Sequence, residues 1–258
     1  MKVNELFQSN MVLQQGKPCF VWGTAKAGEE ITVTIQGKMA SCVVERQEQP
    51  DFDAKWMVKL PALTVSEAES MHISNGTEEI LLENIAVGEV WIAGGQSNME
   101  FWMHYEEHFE EEKKICKNGL IRFFDVPKVA YEGQREEFDY SRMAVWRTCT
   151  EENLEYYSGV GYFFAKKLQR DLKIPVGIIG CNWGGTTSSV WMKEESVKKV
   201  GQPWIADHEK AKEAWNMGEY WEFMHGFEGN NMGNPFENFF NNLVLYQTPP
   251  DEEMQQYF

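Results

Sequence analysis

Basic residues are scarce in this sequence. Of its 258 residues, 24 are Lys or Arg and 40 are Asp or Glu, which gives a formal net charge of -16. Proteins that bind nucleic acid use clustered Lys and Arg to neutralise phosphates, and no basic run occurs here. The composition therefore excludes nucleic acid as an expected partner.

Long apolar runs are also missing. No stretch approaches the ~18 apolar residues that a membrane-spanning helix needs, and residues 1–8 contain no apolar run of signal-peptide length. We therefore expect no membrane partner and a cytoplasmic location. A trimmed N-terminus would leave secretion open.

Cysteines are few and have no ligand pattern. They are odd in number, widely spaced and without a Cys-x-x-Cys pair, which fits neither a disulfide framework nor a zinc site. We predict that all five are buried or half-buried thiols. They are Cys19, Cys42, Cys116, Cys149 and Cys181. The motifs Gly-x-Gly-x-x-Gly and Gly-x-x-x-x-Gly-Lys are absent too, so nothing supports a nucleotide ligand.

The sequence does contain material for a packed core, because 43% of its residues are hydrophobic and 14% are aromatic. Residues 1–88 show short runs in which apolar and polar residues alternate, with turn residues between them. This pattern predicts a small β-sandwich-like domain. The predicted strands cover residues 19–22, 31–35, 41–45, 56–60 and 80–85.

The pattern changes at Gly88, and residues 89–258 are predicted to form an α/β domain. Buried strands are predicted at 90–93, 120–126 and 176–181. Between the last two, Ser158 has the position of a helix N-cap. An apolar row follows it that predicts the buried face of a helix, made of Val160, Phe164, Leu168 and Leu172. Strand, helix and strand in this order indicate a parallel sheet.

The end of the chain is harder to interpret. Residues after 193 have a helical pattern, and their one strand-like run is 243–246. The α/β domain is thereby left with three or four predicted strands, fewer than the ~5 to 6 of a typical sheet. We therefore expect this domain to be incomplete and the chain to be the N-terminal portion of a longer polypeptide.

Two glycine-bearing loops follow predicted strands. The first is Gly94-Gly95-Gln96-Ser97-Asn98, and the second is Trp183-Gly184-Gly185-Thr186. Open α/β sheets bind ligands at the carboxyl ends of their strands. A serine there can act as a nucleophile, and glycine N–H groups can stabilise an oxyanion. The alternative is that both loops are ordinary turns and that the serine is solvated.

Six short motifs, found in one order within residues 5–192, resemble the sialate O-acetylesterase family. This family is a branch of the SGNH hydrolases and is related to certain acetylxylan esterases. The motifs are Leu6-Phe7-Gln8 with Met11-Val12-Leu13-Gln14, Val21-Trp22-Gly23, Gly88-Glu89-Val90-Trp91, Gly95-Gln96-Ser97-Asn98-Met99, Gly161-Tyr162-Phe163-Phe164-Ala165, and Pro175-Val176-Gly177 leading to Gly184-Gly185-Thr186.

The resemblance implies a β-domain followed by a three-layer α/β/α, flavodoxin-like SGNH hydrolase domain. It also implies deacetylation of O-acetylated sugars through an acetyl-enzyme, with no metal and no organic cofactor. In this comparison Ser97 matches the nucleophile, and its own N–H supplies one oxyanion contact. Gly185, or its neighbour Gly184, matches the glycine that supplies a second. Gln96 and Asn98 flank the serine and are expected to position the loop or the sugar.

The sequence departs from the family pattern in its catalytic base. Family members carry a Gln-Gly-Glu segment and an Asp-x-x-His segment further downstream, and neither occurs here. A serine hydroxyl is a poor nucleophile without an adjacent base, so this chain is expected to be impaired or inactive by itself. His225 follows Glu222 at the right interval and is the fallback base, although that spacing is more typical of a local helical contact.

Two further questions remain open in the sequence. The segments near Ser97 offer mainly Glu, which favours a neutral acetylated glycan over sialic acid. Four aromatic residues, Trp204, Trp215, Tyr220 and Trp221, can either stack on a carbohydrate or pack in a core. The missing base also keeps a second function in view, a catalytically silent carbohydrate-binding or structural protein that retains the esterase scaffold.

Overall fold

The computed structural model describes residues 1–46, 54–129, 135, 140–141, 143–202 and 205–206. The chain divides into two compact units. The first comprises residues 1–127 and 143–182, and the second comprises residues 128–142 and 183–258.

The first unit is built mainly from strands. In chain order they are β1 (Lys2–Val3), β2 (Val12–Gln14), β3 (Cys19–Ala25), β4 (Glu30–Ile35), β5 (Lys38–Val43), β6 (Ala54–Leu60), β7 (Ser66–Ser74), β8 (Glu79–Gly95), β9 (Asn118–Asp125), β10 (Arg147–Cys149) and β11 (Val176–Asn182). Its helices are α1 (Ser97–Glu100), α2 (Phe109–Ile115) and α3 (Gly159–Leu172), with short 3₁₀ helices at Met103–Tyr105 and Leu154–Tyr156.

Two sheets organise these strands. The smaller one has the order β1-β3-β6 and is antiparallel. The larger one has the order β10-β9-β11-β8-β7-β4-β5, with β2 also paired to β8. Strand β11 runs parallel to both β8 and β9, so the predicted strands at 90–93, 120–126 and 176–181 do share a parallel sheet. The molecule is a mixed α/β protein; the sandwich-like packing and the three α/β/α layers stay predictions.

Strand β8 is one continuous element of 17 residues. Its first part pairs antiparallel with β7, and its last part pairs parallel with β11. The predicted domain boundary at residue 88 falls inside this strand. The Pro175 backbone comes very close to Gly88. A Cβ at position 88 would lie 2.0 Å from the Pro175 carbonyl oxygen, so only glycine fits there without a shift.

Two apolar clusters form the core of the first unit. The first lies among the N-terminal strands and includes Val21, Val33, Val58 and Ile73. The second lies between the parallel strands and α3 and includes Phe123, Tyr157, Tyr162 and Ile178. The rings of Phe123 and Tyr157 stack with centroids 4.8 Å apart.

Two sequence predictions need correction here. Strand β7 occupies Ser66–Ser74, between the predicted strands 56–60 and 80–85, where no strand was predicted. Its first residues are mostly polar, so this strand is defined by pairing with β4 and β8 rather than by its own alternation.

The second correction concerns α3. The predicted row does not face the core, because Val160, Phe164 and Leu172 are exposed and only Leu168 packs partly against it. The buried residues are instead Gly159, Gly161, Tyr162 and Ala165. Gly161 allows this close approach, since a Cβ there would lie 3.1 Å from the Phe123 ring.

The predicted strands 19–22, 31–35, 41–45 and 56–60 match β3, β4, β5 and β6 to within a few residues. Strands β1 and β2 were not predicted, and the predicted strands 80–85 and 90–93 are parts of the single strand β8. The five cysteines are free, three buried and two half-buried, as predicted. The described part of the second unit contains a 3₁₀ helix (Ser188–Trp191) and α4 (Glu194–Val200). The strand-like run 243–246 lies outside the described residues. Among those residues, no helix is both long and apolar enough to cross a membrane.

Candidate active site

Ser97 lies where the sequence places it, directly after the carboxyl end of β8. Gly95 ends that strand with a φ of +146°, a backbone conformation that residues other than glycine rarely adopt. Gln96 is the N-cap residue and Ser97 the first residue of α1. Gln96, Ser97 and Asn98 are all exposed. The turn thus presents the serine hydroxyl to solvent or to a ligand.

The backbone around Ser97 is held by local hydrogen bonds. The Met99 and Glu100 N–H groups both donate to the Gln96 carbonyl oxygen at 2.9 Å, and the Phe101 N–H donates to the Ser97 carbonyl oxygen at 2.9 Å. As the first residue of the helix, Ser97 has an N–H with no acceptor inside α1. This is the geometry that a serine needs if its own amide is to contact an oxyanion.

The start of α3 holds the segment that follows the serine. The Ser158 hydroxyl donates to the Met99 carbonyl oxygen at 2.5 Å and accepts from the Gly161 N–H at 3.0 Å, so it also caps the helix. The Gly159 N–H donates to the Phe101 carbonyl oxygen at 2.7 Å. Ser158 was predicted as the N-cap, and this is confirmed. The hydrogen bond from the Ser158 hydroxyl to the Met99 carbonyl oxygen holds the turn that carries Ser97.

Asn182 reinforces the end of β8 from the neighbouring strand. It is the last residue of β11 and lies opposite Gly95 in the parallel register. Its side-chain amide is buried and donates to the Ala93 carbonyl oxygen at 3.1 Å. The carboxyl ends of the two strands are therefore linked by a side chain as well as by the sheet.

A half-buried carboxyl group near this edge was not foreseen from the sequence. Asp125 ends β9 and pairs with Gly180 of β11. Its Oδ1 would lie 2.5 Å from a Cβ at Gly180, and the Asn182 amide nitrogen 3.4 Å from the same point. Desolvation raises the pKa of Asp125 to about 7, although Arg147 opposes the shift. An acidic residue that ends an apolar strand is the signal that could have identified it.

The second glycine loop belongs to the second compact unit. Gly185 is exposed and has a φ of +76°, which favours glycine, while Gly184 is buried. The Thr186 hydroxyl donates to the Trp183 carbonyl oxygen at 2.7 Å, and the Trp191 indole N–H donates to the Thr186 hydroxyl at 2.9 Å. The loop is therefore well held. Its convergence with Ser97 in one oxyanion site stays a prediction.

No histidine among the described residues is hydrogen-bonded to Ser97. His104 Nδ1 lies 3.2 Å from the Glu155 carbonyl oxygen. His108 is exposed and contacts Glu106, which raises its pKa through a hydrogen bond and charge attraction. His72 lies on β7 among the N-terminal strands. His208 and the fallback base His225 lie outside the described residues, as do Trp204, Trp215, Tyr220 and Trp221.

The described residues contain no group of three or more His, Cys, Asp or Glu side chains suited to a metal ion. The groups that hold the Ser97 turn and the end of β8 are backbone amides, the Ser158 hydroxyl and the Asn182 side-chain amide. Such groups can position a serine and stabilise negative charge on a carbonyl oxygen. An exposed serine held at a strand end in this way is typical of a hydrolase of the serine-nucleophile class.

Comparison with known proteins identifies the class as the carbohydrate esterases. The profile of the family described as "Carbohydrate esterase, sialic acid-specific acetylesterase" matches residues 87–217, just over half of the chain. The protein belongs to this family. The matched region contains Ser97 and both glycine loops.

Curated relatives and a solved structure agree with this result. The chain is 26% identical over 208 residues to the sialate O-acetylesterases of Rattus norvegicus and Homo sapiens, covering 75% and 76% of this chain. It spans 38% and 39% of those two proteins. A carbohydrate acetylesterase from Xanthomonas citri matches with a TM-score of 0.67 and 28% identity, over 76% of this chain and 43% of that one. The chain thus spans about two fifths of the length of these relatives.

Proposed function

We propose that the protein hydrolyses acetyl esters on sugar hydroxyls through a serine acetyl-enzyme. The observation that carries this proposal is the exposed Ser97 at the carboxyl end of β8, inside the region that matches the esterase family. Its turn is fixed by Gly95, by the backbone of α1 and by Ser158. A nucleophile that is fixed in place before the substrate arrives loses little entropy in the reaction.

In the proposed first step, Ser97 Oγ attacks the carbonyl carbon of the acetyl ester while a base accepts the hydroxyl proton. The oxyanion that forms is stabilised by the Ser97 N–H and by the Gly185 N–H. The C–O bond to the sugar then breaks, and the sugar oxygen takes the proton back from the base. Water attacks the acetyl-enzyme in the second step, and acetate leaves with Ser97 regenerated.

The base lies outside the described residues in this proposal. Residues absent from this chain are the first candidates for it, and His225 is the second. Gln96 and Asn98 contact the sugar or steady the loop, since both are exposed beside the nucleophile. Selectivity between sialic acid and other acetylated glycans is set by pocket contacts. No metal or organic cofactor takes part.

A serine-directed phosphonate tests the nucleophile. The protein is treated with the reagent, and the adduct is located by mass spectrometry. We expect the adduct on Ser97 and none in Ser97→Ala, while Ser188→Ala, which removes another exposed serine, still labels at Ser97. An adduct on any other residue would refute the assignment.

A silent carbohydrate-binding or structural role is the second candidate. It is favoured by the absence of a hydrogen-bonded histidine at Ser97 within the described residues. The two candidates differ in the turnover of 4-nitrophenyl acetate by this 258-residue chain and by Ser97→Ala. Equal and negligible rates would favour the silent role for this chain. A rate that depends on Ser97 would eliminate it.

A further inference from the structure

Two aromatic side chains in the segment that follows Ser97 are exposed to solvent. Phe101 is 45% exposed and Tyr105 is 54% exposed. Their ring centroids are 6.1 Å apart, and the ring planes are inclined by 46°. Between them, Trp102 and Met103 are buried. The side chains of Trp102 and Met103 therefore point into the core, while the rings of Phe101 and Tyr105 lie on the surface.

Single exposed aromatic residues are common and need no explanation. What sets Phe101 apart is that its backbone is fixed on both sides. Its N–H donates to the Ser97 carbonyl oxygen at 2.9 Å, and its carbonyl oxygen accepts from the Gly159 N–H at 2.7 Å. The Phe101 backbone is thus tied to the nucleophile by one hydrogen bond and to α3 by another. A side chain on a backbone that is already fixed has less conformational entropy to lose when it binds a ligand.

Tyr105 is held in the same segment. Its N–H donates to the Trp102 carbonyl oxygen at 3.0 Å within the 3₁₀ helix. The His104 ring lies against it with centroids 3.9 Å apart. The 6.1 Å between the Phe101 and Tyr105 ring centroids allows one sugar residue to contact both rings. Aromatic faces pack against the C–H faces of pyranose rings.

The charges beside the two rings disfavour an anionic sugar. The segment that follows is acidic, with Glu107 and Glu110 exposed. The His108 imidazole in this segment already contacts the Glu106 carboxylate at 3.2 Å. Recognition of a carboxylate by a protein ordinarily uses Arg or Lys in a bidentate or close contact. This surface fits an uncharged sugar ring better.

We propose that Phe101 and Tyr105 form an aromatic platform that stacks on a neutral pyranose residue of the acetylated glycan and directs its ester towards Ser97. This proposal rests on the proposed esterase function and specifies its substrate class. The platform acts before the chemical step. It therefore contributes to binding of the glycan and not to the reactivity of the serine.

Binding in the absence of turnover tests the platform. Ser97→Ala is titrated with an acetylated xylo-oligosaccharide by isothermal titration calorimetry, alone and combined with Phe101→Ala or Tyr105→Ala. We expect each added change to weaken binding about tenfold, as loss of one aromatic contact of roughly 1.4 kcal/mol predicts. Phe101→Tyr, which keeps the ring, is expected to bind like the parent. Phe20→Ala is the matched control, because Phe20 is 43% exposed on β3.

The outcomes separate this proposal from the esterase assignment. Unchanged affinity in Phe101→Ala and Tyr105→Ala, or tighter binding of an O-acetylated sialoside than of the neutral glycan, would overturn the platform. Glycan binding that depends on Phe101, with the serine-directed phosphonate forming its adduct on a residue other than Ser97, would support the platform and refute the esterase function. Hydrolysis that depends on Ser97 but has the same KM in Phe101→Ala would retain the esterase and refute the platform.

Discussion

Arg122 on β9 donates a hydrogen bond from its guanidinium to the backbone carbonyl oxygen of Met11, at 3.2 Å and 111 residues away in the chain. The same side chain donates to carbonyl oxygens of Asn84, Glu67 and Gly119. Arg122 is 3% exposed, and burial lowers its pKa. One buried cation thus connects β9 to strands β7 and β8 and to the residue that precedes β2.

Replacing Arg122 tests how much this connection stabilises the protein. Arg122→Met keeps most of the side-chain volume and leaves several buried carbonyl oxygens without their donor. We expect the free energy of unfolding to fall by about 2 to 4 kcal/mol. Urea denaturation measures this, and Arg170→Met, at an exposed arginine on α3, should change it by less than about 0.5 kcal/mol. Similar losses in the two variants would contradict the role of Arg122.

The contact between β8 and the Pro175 backbone makes a second prediction. Gly88→Ala places a methyl group where 2.0 Å separates it from the Pro175 carbonyl oxygen. Because a backbone group cannot rotate away, we expect a loss of at least about 2 kcal/mol of unfolding free energy. Gly119→Ala is the control, since nothing lies within 4 Å of its added Cβ. Equal thermal midpoints for the two variants would show that β8 and Pro175 can separate at little cost.

Ser158 should affect both stability and the nucleophile. Ser158→Ala removes the N-cap of α3 and the donor to the Met99 carbonyl oxygen, and a loss of about 1 to 3 kcal/mol is expected. The loosened turn should also slow phosphonate labelling of Ser97. Ser158→Thr keeps the hydroxyl and should restore part of both. Ser70→Ala, at an exposed serine on β7, serves as the control, and normal labelling of Ser158→Ala would contradict the positioning role.

Asp125 predicts a specific dependence of stability on pH. Its pKa is raised from 3.8 to about 7 in the folded protein, so the folded state binds the proton more tightly than the unfolded state does. Stability therefore falls as pH rises from about 4 to about 7 and then levels off, by on the order of 4 kcal/mol at most. Asp125→Asn cannot ionise, and it should be more stable than the parent at pH 7.5 and similar to it at pH 4.

Urea denaturation at several pH values checks this prediction. Asp171→Asn is the control at an exposed carboxylate, whose pKa is lowered by a hydrogen bond with Lys167. That variant should show no gain in stability above pH 7. The same pH profile for the parent and for Asp125→Asn would mean that the Asp125 carboxyl is well solvated.

Much of the fold could be predicted from the sequence because it depends on local patterns. The strict alternation of residues 31–35 and the continuous apolar run of residues 176–181 each specify a strand, whatever lies around them. Strand β7 could not be found in this way, since Ser66 to Ser70 are mostly polar and pair with β8 only in the folded chain. The buried face of α3 was not predicted either, because it consists of Gly159, Gly161, Tyr162 and Ala165 and not of a row of large apolar residues.

In the candidate active site, too, the sequence predicts only what depends on local residues. Ser97 was found because the glycines before it are a local requirement of the turn. Asn182, which bonds to the end of β8, was not found, because it acts from β11, a strand that meets β8 only through the parallel pairing of the folded chain. Arg122 escaped because its acceptors are backbone carbonyls, which no sequence pattern marks. The catalytic base, the oxyanion role of Gly185 and the cytoplasmic location stay predictions.

Strand β8 runs from Glu79 to Gly95 without a break, so a recombination junction near residue 88 would cut a strand and not a linker. The first part of β8 would come from one parent together with β7, and the last part would come from the other parent together with β11. Exchanging the N-terminal β-region at residue 88 would therefore interrupt a strand that pairs on both sides of the junction. Chimaeras within this family should keep β7, β8 and β11 from a single parent.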